Sequence, residues 1–390
     1  MSLRALALLA LAVALPADAA ADPFRTRDGR LVRDRAQWER VRRPELKRLF
    51  ERFVYGAAPA PRRVRVERSA ETPFAGRHRL RQLSVRVEGT RRVLEVALFL
   101  PAGPARAPVV VALNKCGNQA LHADPALRVT RSWVHPLCRR MRWDGRGAQS
   151  GHWAVETVLG AGYGLATFHE SDLEPDDPGG DGVRRDLAGD WGVLAAWAWG
   201  LSRLVDALER ETGVDPARLV AYGHSRRGKA ALLASAFDER FALAAVHQSG
   251  TGGMALSRER PFESVARVTA DYPHWFAREF SRFAADPRAL PVDQDLLVAL
   301  VAPRPVLDTE GRWDLWADPD GALLNLRRAH AVHRFLGAPG LLGDGSLRED
   351  FAPGEAGTLA QHRRWTWHTM NAGYWRVILR FADSHLRRVK

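Results

Sequence analysis

The chain has 390 residues, 46% hydrophobic and 26% charged, with a net charge of +13 and two cysteines. That balance excludes a disordered, collagen-like or disulfide-dense chain, and the length suits one large α/β domain or two ordinary ones. Only four of the 58 basic residues are lysines, at 47, 115, 229 and 390; with no basic cluster interleaved with aromatics, the arginine excess reads as codon bias, not nucleic-acid binding, although an acidic polymer would also be attracted by it.

Residues 1–21 look like a secretory leader: Arg4, an apolar run over 5–15, then Ala17-Asp18-Ala19 as an A-x-A cleavage site. The run is too short to span a bilayer, and no later segment offers about 18 uninterrupted apolar residues, so the chain reads as an exported soluble protein with 22–390 as one catalytic domain. Residues 44–55 combine charges with Leu46, Leu49, Phe50 and Phe53, an amphipathic helix with Pro44 in its first turn. Alternation over 82–87 and 92–100 predicts an antiparallel hairpin around Glu88-Gly89-Thr90. Residues 109–113 are a continuous apolar run, a buried parallel strand, and end in Asn114-Lys115-Cys116-Gly117-Asn118, where an α/β-hydrolase draws a second oxyanion donor. Residues 118–150 read as a surface loop. Cys116 and Cys138 are either a disulfide, which an exported protein favours, or two buried thiols; two cysteines cannot make a zinc site alone. A helix over 153–159 and a strand over 163–168 follow. Residues 169–185, with Glu170, Asp172, Glu174, Asp176 and Asp177, read as a solvated acidic loop, a metal site being the rival reading. Residues 191–208 form a long helix whose Trp191, Trp197 and Trp199 suit the core.

Residues 219–229 read Leu-Val-Ala-Tyr-Gly-His-Ser-Arg-Arg-Gly-Lys. A buried strand, a sharp turn at Ser225 and an Ala/Leu-rich helix make this a nucleophile elbow, in the form G-x-S-x-x-G instead of G-x-S-x-G. An apolar strand over 241–246 leads into His247-Gln248-Ser249-Gly250-Thr251-Gly252-Gly253. Residues 254–290 form an excursion over the site, a helix ends near 301, and a short strand covers 306–309 before Asp314; the last helix spans 373–387. Alternating strands and helices predict a mostly parallel sheet covered on both faces, the three-layer sandwich of an α/β-hydrolase. In that fold the order is nucleophile, acid, histidine, met here by Ser225, Asp314 and His368. His368 would take the hydroxyl proton and return it to the leaving alcohol, while Asp314 holds the imidazole tautomer. His224 lies inside the elbow, His362 six residues too early and His247 at the wrong strand.

Gly223 to Lys229 resembles the G-[CH]-S-R-x-G-K motif of the glucuronoyl esterases, carbohydrate esterase family 15. Ala236-Phe237-Asp238-Glu239-Arg240-Phe241-Ala242, Ser249-Gly250-Thr251-Gly252-Gly253, Phe262-Glu263-Ser264-Val265, Pro273-His274-Trp275-Phe276 and Asp314-Leu315-Trp316-Ala317-Asp318-Pro319 resemble further family segments in the same order, across about residues 80–387. The resemblance implies a secreted serine esterase; the chain is read as periplasmic or fully secreted, as a monomer, and with no cofactor or metal. Its substrate would be an ester between a glucuronic acid carboxyl and an alcohol, as where glucuronoxylan joins lignin. Ser225 would be the nucleophile, His368 the base, and Arg226 with backbone N–H groups would hold the oxyanion. Lys229 and Glu263 would hydrogen-bond sugar hydroxyls and Trp316 would pack on the sugar. Structural alternatives stand beside each role: a salt bridge for Arg226, carbonyl capping for Lys229, pairing with Arg260 or Arg267 for Glu263, the core for Trp316. Many members carry a glutamate as triad acid where this chain has Gln248, and Asp293-Gln294-Asp295 stands where the family has Asp-Gln-His. An amide cannot stabilise an imidazolium as a carboxylate does, so Asp314 is the expected acid. A broader carboxylesterase, such as an acetyl-xylan esterase, and a weakly active carbohydrate-binding relative are the other readings.

Overall fold

Ten strands form one sheet in the structure, a computed structural model describing residues 22–103, 105–259 and 261–386. The leader-like segment 1–21 and Arg260 lie outside the described residues. In chain order the strands are β1 Val64–Phe74, β2 His78–Val87, β3 Val93–Leu100, β4 Ala107–Asn114, β5 Gly164–His169, β6 Val214–His224, β7 Phe241–His247, β8 Val306–Gly311, β9 Leu341–Leu347 and β10 Leu359–Arg364. Across the sheet they run β1-β2-β3-β5-β4-β6-β7-β8-β10-β9. The pairs from β1 to β5 are antiparallel and all others parallel.

Position in the sheet follows composition. All eight residues of β4 and all six of β5 are buried, because parallel strands in the middle carry helices on both faces. The helices Val193–Leu208, Arg226–Phe237, Gln294–Val301 and Pro319–Phe335 close one face around Trp197 and Leu232; Val155–Gly160 and Ala372–Leu386 close the other around Trp375 and Phe381. Each fully buried Leu, Val or Phe in these two layers contributes about 1.5–3 kcal/mol. The architecture is the α/β-hydrolase sandwich.

Several local expectations change. β1 was not anticipated, and β2 begins four residues before the expected hairpin; the middle of β1, from Arg65 to Thr72, is mostly exposed and polar and shows no alternation. The helix expected over 44–55 is α-helical over Arg43–Phe50, then widens to a π turn over Glu51–Tyr55. The helix expected over 153–159 is two short helices, Ser150–Trp153 and Val155–Gly160, parted by Ala154 at φ 41°. The acidic segment is not a solvated loop: Glu170, Asp172, Glu174 and Asp176 are buried, because each finds a partner such as Arg227, Ser132, Arg184 or Arg226. Helix Pro319–Phe335, β9 and β10 had no counterpart in the sequence reading. Cys116 and Cys138 are disulfide-bonded, which fastens the segment after residue 118 to the end of β4. Among the described residues no helix is long and apolar enough to cross a membrane, and no His/Cys/Asp/Glu group could hold a metal.

Candidate active site

β6 ends at His224 and the next helix begins at Arg226, so Ser225 alone makes the corner. Its φ of 59° and ψ of −133° put it in a region that costs an L-residue on the order of 1–3 kcal/mol. The surroundings hold it there: the Ser225 N–H donates to the His247 carbonyl at 2.9 Å, and the Ser225 carbonyl accepts from Gly228 N–H at 2.8 Å. A Cβ on Gly223 would lie 2.1 Å from the Arg227 carbonyl oxygen, and one on Gly228 would lie 2.9 Å from the Gly223 oxygen. The two glycines face each other across the turn, which is the steric reason for the G-x-S-x-x-G spacing.

β8 and β10 bring in the acid and the base. His368 Nδ1 lies 2.6 Å from Asp314 Oδ2; Asp314 is buried and the His368 side chain is 41% exposed. Gln248, itself at φ 44°, donates from Nε2 to the Trp367 carbonyl at 2.9 Å and accepts from the Thr369 N–H at 2.9 Å. His247 Nε2 reaches the Thr369 carbonyl at 2.9 Å. The ring centre of His224 lies 4.5 Å from that of His368, 4.7 Å from that of His247 and 5.2 Å from that of His152, each pair tilted. Burial holds His224 far below the ordinary histidine range, His152 at about 4 and His247 at about 3, so these three flank His368 as neutral rings.

Ser225 and His368 line one cavity of about 410 Å³, with Lys115, His152, Trp153, His224, Arg226 and Arg227 among its walls. Arg226 pairs with buried Asp176 and lies 4.3 Å from the ring centre of Trp275 and 4.8 Å from that of Tyr272. Asp176 also accepts from Trp275 Nε1 at 2.7 Å, and His274 Nε2 lies 3.1 Å from it; despite burial, these partners hold its carboxyl well below the usual range. Tyr272, His274 and Trp275 come from the 254–290 excursion, which contributes no strand to the sheet. A larger cavity, of about 1110 Å³, lies over Arg91, Arg92 and Arg128, but these arginines are already paired with Asp186 and Glu95.

The remaining anticipated residues sit apart from the cavity wall. Lys229 and Glu263 pair with each other at 2.7 Å, at 2% and 4% side-chain exposure, and Lys229 Nζ also donates to the Thr251 carbonyl at 2.6 Å. Glu263 accepts from Thr251 N–H at 2.9 Å, so the pair ties the Ser249–Gly253 turn to the elbow helix. Trp316 is 36% exposed, with Arg267 over its ring at 4.9 Å. Asp293 caps helix Gln294–Val301, and Gln294 Nε2 donates to the Gly253 carbonyl at 3.2 Å, bracing the same turn from behind. The sequence reading did not single out Asp176, the tethering role of Gln248, or Lys115. For Lys115 a signal existed: in a chain that otherwise uses arginine for its cations, two of the three lysines among the described residues, 115 and 229, flank the elbow.

A family model described as glucuronyl esterase of fungi matches residues 159–337. Over 386 residues the chain is 35% identical to the carbohydrate esterase MZ0003 of an unknown prokaryotic organism, spanning 94% of this chain and 89% of that protein. Among solved structures, a promiscuous CE15 esterase from a marine bacterial metagenome superposes with a TM-score of 0.84 at 34% identity, covering 94% of this chain and 96% of that one. The glucuronoyl esterase of Solibacter usitatus gives a TM-score of 0.83 at 30% identity, covering 93% and 97%.

Proposed function

The chain belongs to carbohydrate esterase family 15, the glucuronoyl esterases, and on that premise we propose that it hydrolyses esters of glucuronic acid through an acyl-enzyme on Ser225. The single observation that carries the assignment of roles is the 2.6 Å contact of His368 Nδ1 with Asp314, on an imidazole that shares its cavity with Ser225. Ser225 Oγ attacks the ester carbonyl carbon while His368 takes its proton through Nε2; Asp314 accepts from Nδ1–H and stabilises the imidazolium. The oxyanion faces the helix N-terminus at Arg226 and its guanidinium, where preorganised donors and positive charge lower the barrier. The proton passes from His368 to the departing alcohol. Water, deprotonated by His368, then releases the uronate and restores Ser225.

Lys229 spends two of its three N–H donors on Thr251 and Glu263, leaving one for a sugar hydroxyl near the turn, and Trp316 offers a ring face to the sugar. Residues 1–21 direct export to the periplasm or the medium, and 22–390 act as one catalytic domain, in a monomer. A mature N-terminus read near residue 20–22 on exported protein checks the leader.

Ser225→Ala is the direct test: it removes hydrolysis of methyl glucuronate ester by a factor of at least about 10³ while leaving the thermal transition in place. A variant that keeps full activity overturns the assignment. A second reading, a broader carboxylesterase, is motivated by the marine metagenome relative of the same family, a promiscuous CE15 esterase. Rates on methyl glucuronate and on acetylated xylan separate the two, and a large preference for the uronate ester is expected here.

A further inference from the structure

Three cations share one wall of the cavity that holds Ser225: Arg226 and Arg227 at the start of the elbow helix, and Lys115 on the loop after β4. Two carboxylates answer them. Glu170 binds Arg227 through both oxygens at 2.5 and 2.8 Å, and Asp176 binds Arg226. The Lys115 ammonium interacts electrostatically with all four groups, yet it forms no ion pair or hydrogen bond with any described residue. His135 and His169 are held at about 4 by burial, and His152 likewise, so none of them adds charge near neutrality. Below about pH 7, where Lys115 is protonated, the wall therefore carries one uncompensated positive charge.

We propose that Lys115 is a catalytic cation of this esterase, its ammonium facing the negative charge that develops on the ester carbonyl oxygen. The proposal rests on the ester-hydrolysis reading above. A neutral ester becomes an anionic tetrahedral intermediate twice, on acylation and on deacylation, and a net charge of +1 on the wall complements each. Proton balance is unaffected, because the Ser225 proton still travels through His368 to the alcohol and Lys115 keeps its own. The loop after β4 is also where this fold draws its second oxyanion donor. Burial, and then the neighbouring Arg227 and Arg226, lower the Lys115 ammonium to about 7. The sign follows: the cation is present below about pH 7 and is lost as pH rises through it, so the stabilisation fades on the alkaline side. An arginine at this position would stay charged throughout.

The test is the pH profile of kcat/KM on methyl glucuronate ester for wild type, Lys115→Met and Lys115→Arg. Wild type should decline above about pH 7. Lys115→Met should be about 10–100-fold slower at pH 6 and show no such decline. Lys115→Arg should recover most of the pH 6 rate and hold it to about pH 9. A Met variant with the wild-type rate and profile overturns the proposal, as do Met and Arg variants that are folded and equally impaired, which would mark a packing role. If Lys115→Met does not fold, the Arg profile decides alone: an alkaline decline unchanged from wild type refutes the assignment. A wild type inactive on every glucuronate ester would instead sink the esterase reading, and this proposal with it.

Discussion

Gln248 uses both ends of its amide, donating to the Trp367 carbonyl and accepting from the Thr369 N–H, each at 2.9 Å, so it pins the backbone on either side of His368. A carboxylate accepts only. Gln248→Glu would keep the Thr369 bond but set a negative oxygen against the Trp367 carbonyl. It should lower kcat about tenfold and stability by about 1–2 kcal/mol, read by steady-state kinetics and urea denaturation, and it should not act as a second triad acid. Asp314→Asn removes the partner that fixes the imidazole tautomer, and kcat should fall on the order of 10³–10⁴-fold with little change in thermal stability. The order of Ser225, Asp314 and His368 was legible in the sequence because each stands at the end of an apolar strand or just before a helix. The tether through Gln248 was not, since its partners are backbone atoms 119 and 121 residues away.

The elbow was readable as an element because its constraints are local: an apolar strand, two glycines and a helix within eleven residues. Those glycines give a sharp expectation. Gly228→Ala sets a Cβ 2.9 Å from the Gly223 oxygen and 3.0 Å from Ser249 Cβ, so it should cost roughly 3 kcal/mol and reduce activity together with stability, measured by thermal melts and ester hydrolysis on the same preparation. β10, which delivers His368, was illegible for a physical reason. Its Leu359-Ala360-Gln361-His362-Arg363-Arg364 is polar, and its burial depends on remote partners: Gln361 donates to Asp308 at 2.7 Å and His362 Nδ1 lies 2.9 Å from the Leu347 carbonyl. β9 is exposed over most of its length and shows no apolar face. The acidic stretch from Glu170 to Asp176 misled for the same reason. Its carboxylates read as surface until their partners are known: Arg227 and Arg226, 57 and 50 residues away, pair with Glu170 and Asp176, while Ser132 and Arg184 meet Asp172 and Glu174.

At the scale of the whole molecule, the basic excess is partly spent inside. Arg226 and Arg227, on the cavity wall, and Arg184 anchor buried carboxylates, so part of the arginine excess serves as internal scaffolding. Breaking such a pair strands a buried charge, and cost on the order of 3–5 kcal/mol is typical. The Cys116–Cys138 disulfide, spanning 22 residues, joins the scaffold to the loop that carries Lys115. In the chain-entropy account a closure of this length is worth about 3 kcal/mol. Replacing both cysteines with serine should lower the thermal midpoint and weaken ester hydrolysis beyond the loss explained by unfolding, measured well below that midpoint. Unchanged melting with and without reductant would contradict this.

The central claim is that Ser225 is a nucleophile armed by His368. Intact-protein mass spectrometry after treatment with a serine-directed phosphonate tests it most directly. One equivalent of label on the peptide containing Ser225, forming much more slowly in His368→Ala, is the predicted result. No label, label on another residue, or a rate indifferent to His368 would contradict it.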